Sequence, residues 1–441
     1  MVSSVSNPGT SSHGKSVPVL QEILEPTPRI TAQADRAAGF VDDRDASVIA
    51  LLHDAGPLLL CLSHLRWDFV WQRPQHLLSR ASAHYRVVYF EEPILTAGDG
   101  PQSLDLHVSP EGVLIAVPHI PAGTDPTTIV ALQRSLLDTL LLELGNAVAV
   151  AWFYTPMAMD FAGHVQATTV VYDCMDELTL FRGASPRLVL LERQLLDRAD
   201  LVFTGGRSLY EAKRGLHPHA HLFPSSVDAP HFQQARSDRT APPSDQADLP
   251  HPRIGYFGVI DERIDYALLD AIAVARPDWS FIMLGPTAKI DPASLPRHPN
   301  LHWLGMKSYA ELPAYLAGWD AGIMPFALNE ATRFISPTKT PEFLAAGVPL
   351  VSTPIADVVT DWGTGGMVSI AADPDATIAA IEALLARPIE PWLTDVDHRL
   401  SQQSWDNTWG RMMEFLDSAG SHADRSAITA ADDRRTIPRP D

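Results

Sequence analysis

The feature that most constrains this chain is a series of short, unbroken apolar runs, each separated from the next by a stretch with helical spacing. PLLLCLSH (57–64), RVVYFEE (86–92), AVAVAWFY (147–154), TTVVYD (168–173) and DLVFTG (200–205) are continuous, not alternating. Strands covered on both faces need such runs. Helices are expected between them at 74–82, 127–145 and 186–199, the second carrying Leu132, Leu136, Leu140 and Leu144 on one side. Strands that alternate with helices require crossover connections, hence parallel, doubly wound sheets. An inserted hairpin over 104–118 should turn at Glu111–Gly112. The polar, proline-rich segment 233–251 has almost nothing to bury and reads as a linker. Beyond it the same grammar restarts: RIGYFGVI, a helix over 264–276, SFIMLGP, NLHWLGM, a helix over 309–317, AGIMPF, a helix near 341–346, PLVST, GMVSI and a helix over 374–386.

The expected organisation is therefore a flexible leader (1–55, with a short helix near 44–53), a first α/β domain (56–232), the linker (233–251) and a second α/β domain (252–403). A helix at 404–419 should cross back to the first domain, and 420–441 should form a disordered tail. Two doubly wound sheets joined this way face a central cleft between the carboxyl ends of their strands, where open α/β sheets bind ligands.

Charge narrows the partners. Thirty-three Lys and Arg against 53 Asp and Glu leave a net −20, a field that repels polyphosphates, so no nucleic acid is expected. Two cysteines allow neither a disulfide framework nor a CxxC zinc pattern. The first residues lack a secretory pattern, and no apolar run approaches the ~18–20 residues that span a bilayer. The expectation is a cytoplasmic protein, with peripheral contact at the inner membrane face left open.

Three segments carry chemistry. Ser336-Pro-Thr-Lys-Thr-Pro-Glu-Phe-Leu-Ala-Ala-Gly347 follows one strand and precedes another. Ser336 and Thr338 near a helix start offer hydroxyls and free N–H groups to a phosphate, and Lys339 adds a full charge. Pro341 places the regular helix from about Thr340 onward. The plain alternative is an ordinary capped helix. Gly255-Tyr-Phe-Gly258-Val-Ile-Asp-Glu-Arg263 ends a strand with glycine, which lets a ligand approach the backbone. Its Arg263 could grip a diphosphate or simply pair with Asp261 or Asp265. Pro224-Ser-Ser-Val-Asp228 with Phe232 reads alone as a turn.

Taken in order, these segments resemble GT-B glycosyltransferases of group 1, which implies two Rossmann-like domains. Glu342-Phe-Leu-Ala-Ala-Gly347-Val-Pro349-Leu-Val351 matches the family's late Glu-x-x-x-x-Gly-x-Pro-x-Val helix, and the resemblance assigns Glu342 to the ribose hydroxyls of a nucleotide. Trp71-Gln-Arg-Pro-Gln-His76 and Tyr172-Asp-Cys-Met-Asp-Glu177 are similar to the teichuronic-acid and exopolysaccharide subgroup. The sequence departs from the family where a second Glu commonly touches the transferred sugar: Phe334 stands there, with Asn329 and Glu330 as the nearest polar substitutes.

The resemblance implies transfer of a sugar from a UDP- or GDP-linked donor to a hydroxyl of a glycan or lipid-linked glycan, with no cofactor and no required metal. Gly258, Arg263, Ser336, Thr338, Lys339 and Glu342 would hold the donor. Arg66, Trp67, Trp71 and Arg73 would hold the acceptor. His64 and Asp173 are the candidate catalytic groups; Asp176, Glu91 and Glu92 are alternatives at neighbouring strand ends. A non-catalytic nucleotide-sugar-binding subunit, a GT-B-like epimerase and a nicotinamide dehydrogenase are the rival readings.

Overall fold

The computed structural model describes residues 45–97, 100–237 and 239–435, with side chains as far as Gly420. The leader expected over 1–55 lies outside the described residues except for its end, where Asp45 caps a helix over Ala46–His53.

The first sheet contains β1 (Leu58–Leu62), β2 (Arg86–Phe90), β3 (Ile94–Thr96), β4 (Ser103–Val108), β5 (Leu114–Pro121), β6 (Val148–Phe153), β7 (Ala167–Cys174), β8 (Leu201–Thr204) and β9 (Ala220–Leu222). Its order is β3-β5-β2-β1-β6-β7-β8-β9, parallel throughout except that β4 pairs antiparallel with β5 as the inserted hairpin. The second sheet contains β10 (Arg253–Phe257), β11 (Ser280–Leu284), β12 (Leu301–Gly305), β13 (Ala321–Met324), β14 (Leu350–Ser352) and β15 (Val368–Ile370). It runs β12-β11-β10-β13-β14-β15, all parallel. In both sheets the strand order reverses beside the first strand, between β1 and β6 and between β10 and β13. Those are the switch points where connections leave in opposite directions and a crevice opens. The unbroken apolar runs explain why: β1, β2, β10 and β11 are buried at every position.

Three departures from the sequence expectations concern the joints. Val227, Phe232 and Ala235 belong to the core of the second domain, so the chain has already crossed by residue 227. The segment read as a loose linker is docked on that domain. Gln246 is fully buried, receives Trp319 Nε1–H at 3.0 Å and donates to the Tyr315 carbonyl at 2.8 Å. Its polar residues lacked apolar signal because hydrogen bonds hold them. The last helix runs from Trp405 to Arg435, well into the tail expected to be disordered. The run after Gly420 is rich in alanine and free of proline as far as Arg435, so nothing stops the helix. Trp405, Trp409, Met412 and Leu416 bury against the first sheet with Trp152 and Phe203, returning the chain to the first domain.

Candidate functional site

Loops after β1, β7 and β8 of the first sheet meet loops after β10, β11, β12 and β13 of the second around one cavity of about 1250 Å³, counting space open at its mouth. On the second-domain side, the backbone itself forms the floor. Gly258 has φ +143° and Gly285 φ +144°, and a Cβ on Gly285 would lie 1.8 Å from the Gly258 carbonyl oxygen. A Cβ on Gly258 would lie 2.1 Å from Lys339 Cε. Only glycine lets these two strand ends and the lysine stem pack so closely.

Above this floor, Arg263, Ser336, Thr338, Lys339 and Glu342 all line the same cavity. The helix bearing Glu342 starts at Lys339, one residue before the expected Thr340. Glu342 is 8% exposed, and burial pushes its carboxyl up to about 7, with Lys339 pulling the other way. Burial in turn lowers Lys339, and Glu342 opposes that shift. Arg263 does pair with Asp261 (Nε–Oδ1 2.9 Å, Nη2–Oδ2 2.7 Å) and at the same time lines the cavity.

The first-domain wall differs from the sequence assignment. Asp173 lies inside β7, fully buried, in a bidentate ion pair with the equally buried Arg73 (Nη2–Oδ1 2.9 Å, Nε–Oδ2 3.0 Å). Arg73 Nη1 donates to the Phe223 carbonyl at 2.7 Å. Neither group reaches the cleft: Asp173 is no base there and Arg73 no acceptor contact. A charge this deep persists only when paired and hydrogen-bonded. Trp67 is also withdrawn, 4% exposed and edge-on to Tyr89. Arg66 gives its guanidinium to Glu91 Oε2 (2.7 Å) and the Glu92 carbonyl (2.5 Å), fastening two strand ends instead of presenting a hand to an acceptor.

His64 is outside the cavity lining. Burial first, then Lys289 of the second domain, push its imidazole down to about 4, and Nδ1 is buried without a hydrogen-bond partner among the described residues. Among the expected acceptor residues, Trp71 does line the cavity, 6.0 Å from the Tyr309 ring across the domain junction.

The structure adds groups that sequence reading missed or ranked lower. Asp176, two residues beyond β7, lines the cavity; burial raises its carboxyl, and Arg263 and Lys339 across the gap pull it back. Tyr309 stacks on His231 at 4.1 Å, and its buried hydroxyl has no hydrogen-bond partner among the described residues. Phe181, from the loop after β7, sits beneath both Arg263 (6.0 Å) and Lys289 (5.8 Å) of the second domain. Phe334 packs against the first domain's core, while the Asn329 side chain is spent capping Thr332 N–H at 3.1 Å. Among the described residues, no group of three or more His, Cys, Asp or Glu converges to hold a metal ion.

Two parallel sheets of matching order facing a shared cleft define the GT-B architecture. Within it, residues 251–387 match the family described as Glycosyl transferases group 1. A Bacillus subtilis (strain 168) protein, TuaH, named as a teichuronic acid biosynthesis glycosyltransferase, is 37% identical over 103 residues, 23% of this chain. The match spans about a quarter (26%) of that relative's length. Solved structures share the fold at low identity. Sucrose-phosphate synthase from Thermosynechococcus elongatus superposes with a TM-score of 0.65 at 13% identity, over 83% of this chain and 100% of that one. Anabaena HepE in complex with UDP and glucose gives 0.59 at 13%, over 82% and 99%. Among the described residues no helix is long and apolar enough to cross a membrane.

Proposed function

We propose that this protein transfers a sugar from a nucleoside diphosphate sugar, UDP- or GDP-linked, to a hydroxyl of a glycan or lipid-linked glycan in cell-surface or exopolysaccharide synthesis. The observation that carries the reading is the convergence of a glycine floor (Gly258, Gly285), two cations (Arg263, Lys339) and a buried carboxyl (Glu342) in one inter-domain cavity. Such a set suits a diphosphate ester joined to a ribose. Backbone approaches the phosphates, the cations meet charge that grows on the leaving diphosphate, and Glu342 accepts from ribose hydroxyls.

The transferred sugar then points at the first-domain wall, where Asp176 replaces Asp173 as the acidic group facing the reaction. Burial raises its carboxyl while Arg263 and Lys339 oppose that shift, and its place on the cavity wall suits a group that accepts the proton of an acceptor hydroxyl. Trp71 offers an aromatic face to a sugar ring. The relative named for teichuronic acid biosynthesis supports a surface-polymer role.

One observation favours a second reading, a nucleotide-sugar-binding subunit without turnover. Phe334 packs, half-buried, against the first domain where the family commonly presents a sugar-contacting Glu.

A thermal-shift panel of UDP-, GDP-, dTDP- and ADP-sugars, followed by donor turnover with and without glycan acceptors, tests both. Stabilisation by a UDP- or GDP-sugar with turnover that falls about 10²-fold in Asp176→Asn supports transfer. Stabilisation without turnover on any acceptor selects the binding subunit. No stabilisation by any of the four sinks the donor assignment.

A further inference from the structure

The diphosphate side of the cavity is braced from behind by a contact between domains. Gly206, after β8, leads into a helix over Arg207–Lys213 in the first domain. A second-domain segment, helical over Ala356–Val358 and π-helical over Val359–Gly363, presents Asp357 and Asp361 four residues apart on one face. Asp357 Oδ1 accepts from the Ser208 backbone N–H at 3.0 Å, and Asp361 Oδ1 accepts from Arg207 Nε (2.9 Å) and Nη2 (2.8 Å).

Between these two contacts Gly206 has no room for a side chain. A Cβ there would lie 2.4 Å from Asp357 Oδ2 and 2.5 Å from Ser336 Cβ. Ser336 is the first residue of the loop that carries Thr338 and Lys339 into the cavity, and Gly205 lines that cavity too. The first-domain backbone thus rests directly on the loop that would hold the diphosphate. Asp357 is 3% exposed, and its Oδ2 is buried without a hydrogen-bond partner among the described residues. A carboxylate kept in that state is unfavourable for stability alone. Its hydrogen-bond partners, Ser208 and the Arg207 backbone, belong to the other domain.

We propose that Asp357 is a positioning residue: with Gly206, Ser208 and the Arg207–Asp361 pair, it forms an inter-domain clasp that sets the place of the 336–339 loop for the donor diphosphate. The clasp rests on the donor-site reading for its purpose but not for its existence. It makes closure of the two domains and the placement of Lys339 one event, because the segment that seats the first domain is the segment that abuts Ser336. Arg207 and Asp361 lie outside the donor cavity and hold the clasp at its outer edge.

The test combines small-angle X-ray scattering with calorimetric titration of UDP-glucose and GDP-mannose on the full chain. Gly206→Ala should enlarge the radius of gyration and weaken binding of the accepted donor about tenfold or more, with the melting temperature nearly unchanged. Arg207→Asp should weaken binding similarly, and the swap Arg207→Asp/Asp361→Arg should restore it to within about threefold, as coupled partners do. A merely structural role would instead lower the melting temperature of Arg207→Asp and recover it in the swap, whereas positioning moves donor binding with the melting temperature nearly unchanged. Wild-type scattering and binding in Gly206→Ala, or a swap no better than the single change, overturns the clasp. If neither sugar nucleotide binds the wild type, the donor reading fails instead. Scattering then decides the clasp alone: expansion in Gly206→Ala and Arg207→Asp, reversed by the swap, sustains it, and unchanged dimensions refute it.

Discussion

Glu342→Gln should make the protein more stable above neutral pH while weakening its hold on a nucleotide. The Glu342 carboxyl, 8% exposed, is held at about 7 against an ordinary 4.5, chiefly by burial and against the pull of Lys339. A displacement of that size corresponds to ~3 kcal/mol of cost for the charged form. Between pH ~4.5 and ~7 the folded chain keeps a proton that the unfolded chain has lost. The group's contribution therefore becomes steadily unfavourable as pH rises through that window, and is complete above it. Glutamine never ionises, so the variant should gain up to ~3 kcal/mol over wild type at pH 8 and nothing below pH ~4.5. Urea unfolding at pH 4.5, 6 and 8 measures the difference.

Binding should move the other way. A carboxylate that accepts two ribose hydroxyl hydrogen bonds must be charged, and with a value of about 7 it is only about one-tenth ionised at pH 6. Affinity for UDP-glucose, whose diphosphate diester does not titrate in this range, should fall about tenfold from pH 8 to pH 6 in wild type. In Glu342→Gln it should be flat and roughly 10- to 100-fold weaker at pH 8, the loss of charge assistance on those bonds. Calorimetry at three pH values separates the cases. An identical pH slope in the variant, or a variant less stable than wild type at pH 8, would refute the reasoning.

Breaking the buried Arg73–Asp173 pair by Asp173→Asn should cost about 3–5 kcal/mol in denaturant unfolding, whereas Arg73→Met/Asp173→Leu together should recover most of it. Gly258→Ala, which must adopt φ +143° with its Cβ on the Lys339 stem, should lower donor affinity more than about tenfold while far-UV circular dichroism stays unchanged. Trp409→Ala, removing a ring packed 6.2 Å from Trp152, should destabilise by about 3–5 kcal/mol. A smaller loss in differential scanning calorimetry would mean the last helix is not part of the first domain's core.

The alternation of buried strands and helices, the hairpin with its turn at Gly112, and the restart after residue 251 were legible in the chain because each depends on local apolar continuity and turn chemistry. So was the grouping of Gly258, Lys339 and Glu342, because all three follow strands beside the reversal of one sheet. What sequence alone did not decide was the fate of polar residues at neighbouring strand ends. Asp173 and Asp176 are three residues apart and carry the same chemistry. One points into the sheet interior against Arg73, while the other sits past the strand end facing two cations of the opposite domain. Arg66 and Trp67 were equally plausible cleft residues until Glu91 and Tyr89 claimed them. Tyr309, Phe181 and Asp357 gave no signal, since each acts through a contact with the other domain. Such contacts are fixed only when the two sheets meet: local patterning sets which face of an element is apolar, but the partner of a buried charge is chosen by the whole assembly.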